Sequence, residues 1–416
     1  MTTATLPSDV TLLNVDADPT ETAVENLLAY ATRLGASDLF ICSNEQHVIV
    51  HARHLGVMRT ISILPSDLGR RVITLIKTRG NLDLAERRRP QEGRWIYTHE
   101  DQTPDTRTFD IRISTIPTAF GEDLALRMLE RTSKLLSLES LGLSSHQQAT
   151  LSATLESPGG LILLTGPTGS GKTATLYSCL QKLNDGRRKI NTIEDPIEFT
   201  LDGIRQSQVN PAIHLGFSDL LRSVMRQSPD VIMIGEIRDP ETADIAIRAA
   251  NSGHLVLATI HATAAAGAIQ SMRALGVHSH FLASALRCIV AQRLVRTLCP
   301  NCKSAFDIAD APYTFDDISH LLAPGEGKSL WTAGGCKECH NTGYTARTGI
   351  FELMPISRPI RNLIAENRPT REIRLRAVEE KMLEFRHAAL LKVAHGITST
   401  EEVFRVIPTE HLLAEE

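Results

Sequence analysis

No run of apolar residues in this 416-residue chain approaches the roughly 20 that a membrane-spanning helix requires. The first residues, Met1-Thr2-Thr3-Ala4-Thr5-Leu6-Pro7, lack the basic stretch and apolar core of a secretory signal, so the expected location is cytoplasmic. Excess positive charge is missing too: 44 Lys and Arg against 48 Asp and Glu leave a formal charge of −4. That balance offers no electrostatic footprint for nucleic acid, and none is expected as a partner. An Asn-Lys-x-Asp base-reading motif is absent, which disfavours a GTPase switch. Seven cysteines do not suggest a disulfide framework in a reducing compartment, and their spacing matters more than their number.

Against these absences stands Gly166-Pro167-Thr168-Gly169-Ser170-Gly171-Lys172-Thr173. It follows the apolar run Leu161-Ile162-Leu163-Leu164 and leads into Ala174-Thr175-Leu176-Tyr177-Ser178-Cys179-Leu180, a potential helix. Strand, glycine loop and helix are the context that a phosphate-binding P-loop needs. The glycines let backbone N–H groups turn inward toward phosphate oxygens, and the helix N-terminus adds a favourable dipole. Lys172 would reach the β- and γ-phosphates and Thr173 would ligate Mg²⁺, so the chain is read as binding a nucleoside triphosphate.

The residues before this loop predict a polar lead-in over 1–24, then an α/β domain over 25–132, with the order strand, strand, helix, strand, strand. Two strand arginines stand out there. Arg112 alternates against apolar neighbours, and Arg127 interrupts the apolar strand Leu124-Ala125-Leu126-Arg127-Met128-Leu129. Nucleotide hydrolases often use an arginine to neutralise charge in the transition state. A linker over 133–143 leads to a second domain over 144–416.

In that second domain, apolar segments ending at Glu194, Glu236 and His261 alternate with helical ones. This describes a parallel sheet, which binds ligands at the carboxyl ends of its strands. Glu236 would hold the Mg²⁺ shell or polarise the attacking water, with Glu194 the second candidate for the water. His261 would contact the γ-phosphate or report its state to a neighbouring subunit. Cys299-Pro300-Asn301-Cys302 and Cys336-Lys337-Glu338-Cys339 are 33 residues apart and suit four-thiolate structural Zn²⁺ closing a segment over 297–345. Cys42, Cys179 and Cys288 read as core residues, and residues 350–416 as a helical C-terminal region.

Several stretches together resemble the assembly ATPases of type II secretion systems and type IV pili. Thr192-Ile193-Glu194-Asp195-Pro196-Ile197-Glu198 is similar to that family's Asp box. The stretch from Arg226 to Asp239 resembles its Walker B segment, and Ser252 to Thr263 its His box. Gln292-Arg293-Leu294-Val295-Arg296 and Gly349-Ile350-Phe351-Glu352-Leu353 flank the cysteine segment as in the family, whose extension-type members carry the cysteines.

The resemblance implies a RecA-like P-loop NTPase domain, preceded by a small PAS-like α/β domain and carrying a zinc-binding insertion. It also implies a hexameric motor that hydrolyses ATP to assemble pilin or pseudopilin filaments, working with an inner-membrane platform or docking protein. Arg112 and Arg127 match the family's arginine-finger positions. Leu55 stands where an acidic residue is usual, and Ala36-Ser37-Asp38-Leu39-Phe40 replaces an Ala-Ser-Asp-Ile-His pattern. The separate amino-terminal docking module of many members is expected to be absent or reduced to the first 24 residues. A nucleotide-gated docking or scaffold protein with little turnover is the alternative.

Overall fold

The computed structural model describes residues 12–99, 107–131, 137–308 and 312–412, and the chain divides into two units at Lys134 and Leu135. Unit 1 contains helices α1 (Thr20–Leu34) and α2 (Ser66–Arg79). Its strands are β1 (Asp38–Ser43), β2 (His47–His54), β3 (Val57–Pro65), β4 (Gln91–His99), β5 (Arg107–Thr118) and β6 (Gly121–Glu130). The strands form one antiparallel sheet in the order β3-β2-β1-β6-β5-β4.

Helix α1 buries Ala23, Val24, Leu27, Leu28, Ala31 and Leu34, the stripe of an amphipathic helix, and stops where Gly35 takes a left-handed conformation. Strand β2 alternates regularly, burying Val48, Val50 and Ala52 against the same core. A buried ion pair lies inside this unit. Lys77 Nζ is 2.7 Å from Glu122 Oε1 with both groups buried, and it also donates to the Glu86 carbonyl.

Several sequence expectations for this unit need correction. Strand β3 was not expected, because its hairpin turn is Leu55-Gly56 and not the Asn-Gly or Asp-Gly that signals such turns. Both turn residues have positive φ, 49° and 82°, so the leucine adopts a backbone that its side chain disfavours. The lead-in predicted over 1–24 is also shorter: α1 starts at Thr20, Val15 is buried, and Leu13 N donates to the Ile61 carbonyl. Residues 1–11 of that segment lie outside the described residues, as do 132–136 at the predicted linker. The rest of the linker includes a 3₁₀ turn over Leu138–Leu141 that packs into the core of unit 2.

Unit 2 opens with α3 (Ser145–Leu155), capped reciprocally: Gln147 N donates to Ser144 Oγ while Ser144 N donates to Gln147 Oε1. There follow β7 (Gly160–Thr165), α4 (Lys172–Leu183), β8 (Ile190–Glu194), β9 (Arg205–Gln208), α5 (Phe217–Met225), β10 (Val231–Ile234), α6 (Pro240–Asn251) and β11 (Leu255–Ile260). After them come α7 (Ala265–Ala274), α8 (Ser279–Ala285), β12 (Leu286–Leu298), β13 (Ser304–Asp307), β14 (Ser329–Thr332) and β15 (Tyr344–Pro355). Helices α9 (Arg358–Ala365), α10 (Thr370–Glu379), α11 (Phe385–Ala394) and α12 (Thr400–Val406) complete the unit.

The main sheet has the order β15-β12-β7-β11-β10-β8-β9, parallel except for the antiparallel pair β12/β15. Strand β7 is buried on both faces: Leu161 and Leu163 join one hydrophobic core, Ile162 and Leu164 the other. The region predicted as helical over 350–416 begins instead as strand. β15 runs to Pro355 because its apolar residues pair with β12 at the sheet edge, and the helices start at Arg358. Cys179 and Cys288 are core residues, whereas alternation leaves Cys42 half-buried beside Asp38 and Phe40 on β1.

Candidate active site

Three neighbouring parallel strands, β7, β11 and β10, end at the same edge of the sheet, and each delivers one part of the site. The glycine loop follows β7. Gly166, Gly169 and Gly171 have φ of 145°, 77° and 88°. A Cβ on Gly166 would stand 2.4 Å from the Gln292 carbonyl oxygen and 2.7 Å from Ser170 Oγ, so only glycine fits. Helix α4 then starts from Gly171 without a side-chain cap, which leaves its first N–H groups for an anion. Ser170 Oγ is buried with no hydrogen-bond partner among the described residues, and Thr173 is exposed at the helix start.

Lys172 Nζ donates to the carbonyls of Gly166 (2.7 Å) and Pro167 (3.0 Å). Its pKa is lowered by burial, against an opposing pull from Glu236. Hydrogen bonds tie the turn after β10 to its neighbours: Gly235 N donates to the Ile193 carbonyl, and the Thr259 hydroxyl to the Gly235 carbonyl. Glu236 follows, half-buried, and its two oxygens meet His261 Nε2 and the Arg238 guanidinium, with Arg238 Nε at 2.6 Å. Arg238 also lies 3.9 Å from Asp195, and Glu236 raises its pKa. The structure therefore gathers Lys172, Glu236 and His261 at the strand ends.

Glu194 is placed differently. It is buried, its Oε1 accepts from Thr192 Oγ1 (2.6 Å) and Gln206 Nε2 (3.0 Å), and its Oε2 accepts from the Tyr177 hydroxyl of α4. Burial and the Glu194 carboxylate push the Tyr177 phenol up.

In unit 1, Arg112 and Arg127 are cross-strand partners. They belong to one row across the sheet, Arg94-Arg112-Arg127-Asp38-Arg53, within which Asp38 accepts from Arg127 and Arg53 at 3.4 Å. Arg94 makes a two-point contact with Asp110.

Sequence reasoning assigned no role to Arg238 or Gln292. Gln292 accepts from Thr175 Oγ1 at 2.7 Å while its own carbonyl crowds Gly166, so it braces the glycine loop. Its one sequence signal was its place in the segment before Cys299.

The four cysteines meet where β12 and β15 part. Their sulfurs all lie within 4.8 Å of one another, with Cys299–Cys336, Cys302–Cys339 and Cys336–Cys339 at 3.8, 3.7 and 3.6 Å. Sulfurs placed tetrahedrally about 2.3 Å from one ion stand about 3.8 Å apart, so the donor set fits Zn²⁺. Burial alone would raise the Cys339 thiol, but backbone N–H groups of Cys336 and Gly343 aimed at its sulfur, with the neighbouring thiols, bring it to about 6.

A family model described as "Type II/IV secretion system protein" matches residues 14–405. Type II secretion system protein E of Dickeya dadantii is 40% identical over 406 residues, covering 97% of this chain and 79% of that protein. Type II secretion system ATPase E of Vibrio cholerae is 40% identical over 407 residues, 96% of this chain and 78% of that protein. The type IV pilus assembly ATPase TfpB of Acinetobacter baylyi is 40% identical over 385 residues, 92% of this chain and 65% of that protein. Among solved structures, the ATPase DotB of Legionella pneumophila shares the fold, with a TM-score of 0.65 at 21% identity over 96% of this chain and 97% of that one. A phosphate loop facing a Glu–His pair across adjacent strand ends, on a chain so similar to these relatives, leads to one assignment: the chain belongs to the type II/IV secretion system ATPase family.

Proposed function

We propose that this chain is a hexameric motor that hydrolyses ATP to power assembly of pilin or pseudopilin filaments in type IV pilus or type II secretion machinery. The observation that carries this reading is the placement of Lys172, Glu236 and His261 at the ends of three adjacent parallel strands. Relatives at 40% identity named as secretion and pilus-assembly ATPases support the choice of machinery. In this reading the glycine loop and the start of α4 hold the phosphates, and Thr173 and Glu236 serve Mg²⁺. Glu236, freed from Arg238, polarises the attacking water and His261 senses the γ-phosphate.

Glu194 suits anchoring better than water activation, since both of its oxygens are taken by Tyr177, Thr192 and Gln206. Arg112 and Arg127 supply the charge that neutralises the transition state. The motor works at the cytoplasmic side of the inner membrane, against a platform or docking protein. No helix among the described residues is long and apolar enough to cross a membrane.

Native mass measurement with and without ATP tests the assembly. Particles of six chains are expected with ATP, and a monomer at all nucleotide concentrations would contradict the motor. Phosphate release in the same samples separates a motor from a scaffold that binds nucleotide without turning it over.

The cysteine cluster is proposed to hold one structural Zn²⁺ that closes the segment between β12 and β15. Metal analysis of the purified protein should give about one zinc per chain, and chelation should unfold that segment, because structural zinc contributes directly to folding. Folded protein containing no metal would refute the site.

A further inference from the structure

Glu352 lies on β15 opposite Ala291 of β12 and is 5% exposed. Its Oε2 accepts from the backbone N–H of Ala265 at 2.9 Å, and its Oε1 from that of Phe385 at 3.1 Å. These are the first residues of α7 and α11, so one carboxylate serves two helix N-termini. Neither helix has a cap of its own. The residue before α7 is Ala264, whose side chain cannot accept a hydrogen bond, and the residue before α11 is Glu384, whose carboxylate is taken by Arg374. First-turn N–H groups lack partners within a helix and favour nearby negative charge, which accounts for a carboxylate at this depth. Burial raises the Glu352 carboxyl to about 6, while the two N–H donors and Arg293 act against that rise. At neutral pH the two helix ends therefore hold the ionised form.

What precedes α7 gives this contact its consequence. Residues 260–264 carry His261 from the end of β11 to the helix, and successive backbone groups there are tied down. The His261 carbonyl accepts from Ser271 Oγ, the Ala262 carbonyl from Thr165 Oγ1 at the foot of the glycine loop, and the Thr263 carbonyl from Arg293. Glu352 makes the next tie, at Ala265 N, and accepts a hydrogen bond from the first N–H of α11, where Arg293 also lies over the Phe385 ring.

We propose that Glu352 is a positioning residue for ATP hydrolysis: it sets the His261 loop against Glu236 and, through its second hydrogen bond, links that setting to α11. The inference rests on the reading of His261 and Glu236 as parts of the hydrolytic site.

The test uses the full chain and compares kcat with KM for ATP. In Glu352→Gln the amide oxygen still accepts one N–H, but the amide nitrogen faces the other. The expected result is a kcat about tenfold lower with KM changed by less than about twofold, since the glycine loop is untouched. Two second-site changes separate positioning from stability. Ala264→Asp gives α7 a cap of its own on a backbone already extended (φ −146°, ψ 167°), and should restore most of the lost kcat to Glu352→Gln. Glu384→Asp puts the capping carboxylate at α11 instead, and should restore heat stability without restoring kcat.

Wild-type kcat in Glu352→Gln overturns the inference, as does equal recovery of kcat by both second-site changes. Where Glu352→Gln alone is too unstable to purify, the two double variants are compared directly: higher kcat with Ala264→Asp supports the inference and equal kcat refutes it. A His261→Ala variant measured alongside keeps the two readings apart, because slow His261→Ala with normal Glu352→Gln removes only the role of Glu352.

Discussion

Lys172→Ala should remove ATP turnover, lowering kcat/KM by about 10²–10³-fold or more, because in the proposed reading its ammonium is the cation that the glycine loop brings to the phosphates. Its Nζ donates to the carbonyls of Gly166 and Pro167, at the entrance of α4. Burial lowers its pKa, and the nearby Glu236 carboxylate opposes that lowering. The side chain's hydrogen bonds go to the loop carbonyls of Gly166 and Pro167 rather than to the hydrophobic core, so its loss leaves the core packing untouched. The variant should therefore fold and melt like wild type while failing to retain a fluorescent ATP analogue. Substantial residual hydrolysis would overturn the assignment of the loop.

Glu236→Gln should separate binding from chemistry. The substitution preserves size and removes the charge that meets both His261 and Arg238. In the proposed mechanism the attacking water would then lose its proton acceptor, a function typically worth about 10²–10⁴-fold. ATP affinity should hold or rise, because Lys172 then has no competing anion beside it and the phosphates meet less negative charge. The check is single-turnover hydrolysis alongside equilibrium binding: ATP bound but scarcely cleaved is expected, and an unchanged kcat would eliminate this role. The same assay on Glu194→Gln should show a change in stability before any change in chemistry, since that carboxylate joins α4 to β8 through Tyr177 and Thr192.

Much of this site was legible in the sequence because its parts are local. The glycine loop is contiguous, and Glu236 and His261 each close a short apolar strand whose neighbours are also parallel strands. The two Cys-x-x-Cys pairs suggest a metal site although the 33 residues between them exceed the usual spacing, and the structure brings their four sulfurs within 4.8 Å of one another. What stayed hidden depends on contacts between distant segments. Gln292 braces the glycine loop from a strand more than a hundred residues away, and Glu352 reaches two helices that precede and follow it. Neither has a local pattern that distinguishes it from a polar residue in a strand. The burial of Glu194 among its own donors was invisible for the same reason. Strand β3 escaped because Leu55 occupies a turn position that asparagine or glycine usually fills. The first residues of the region predicted as helical are strand because β12 offers an edge to pair with, a tertiary effect that local propensity does not contain.

Arg112 could act on the glycine loop of its own chain or on that of a neighbouring protomer; we propose the second, and mixing two inactive variants tests it most directly. Arg112→Ala keeps the glycine loop and lacks the proposed finger, whereas Lys172→Ala keeps the arginine and lacks the loop's cation. Steady-state phosphate release by an equimolar mixture should clearly exceed that of either variant alone, because some sites would pair an intact loop with an intact arginine from the neighbouring chain. A mixture no more active than the average of its two components would contradict a site shared between protomers.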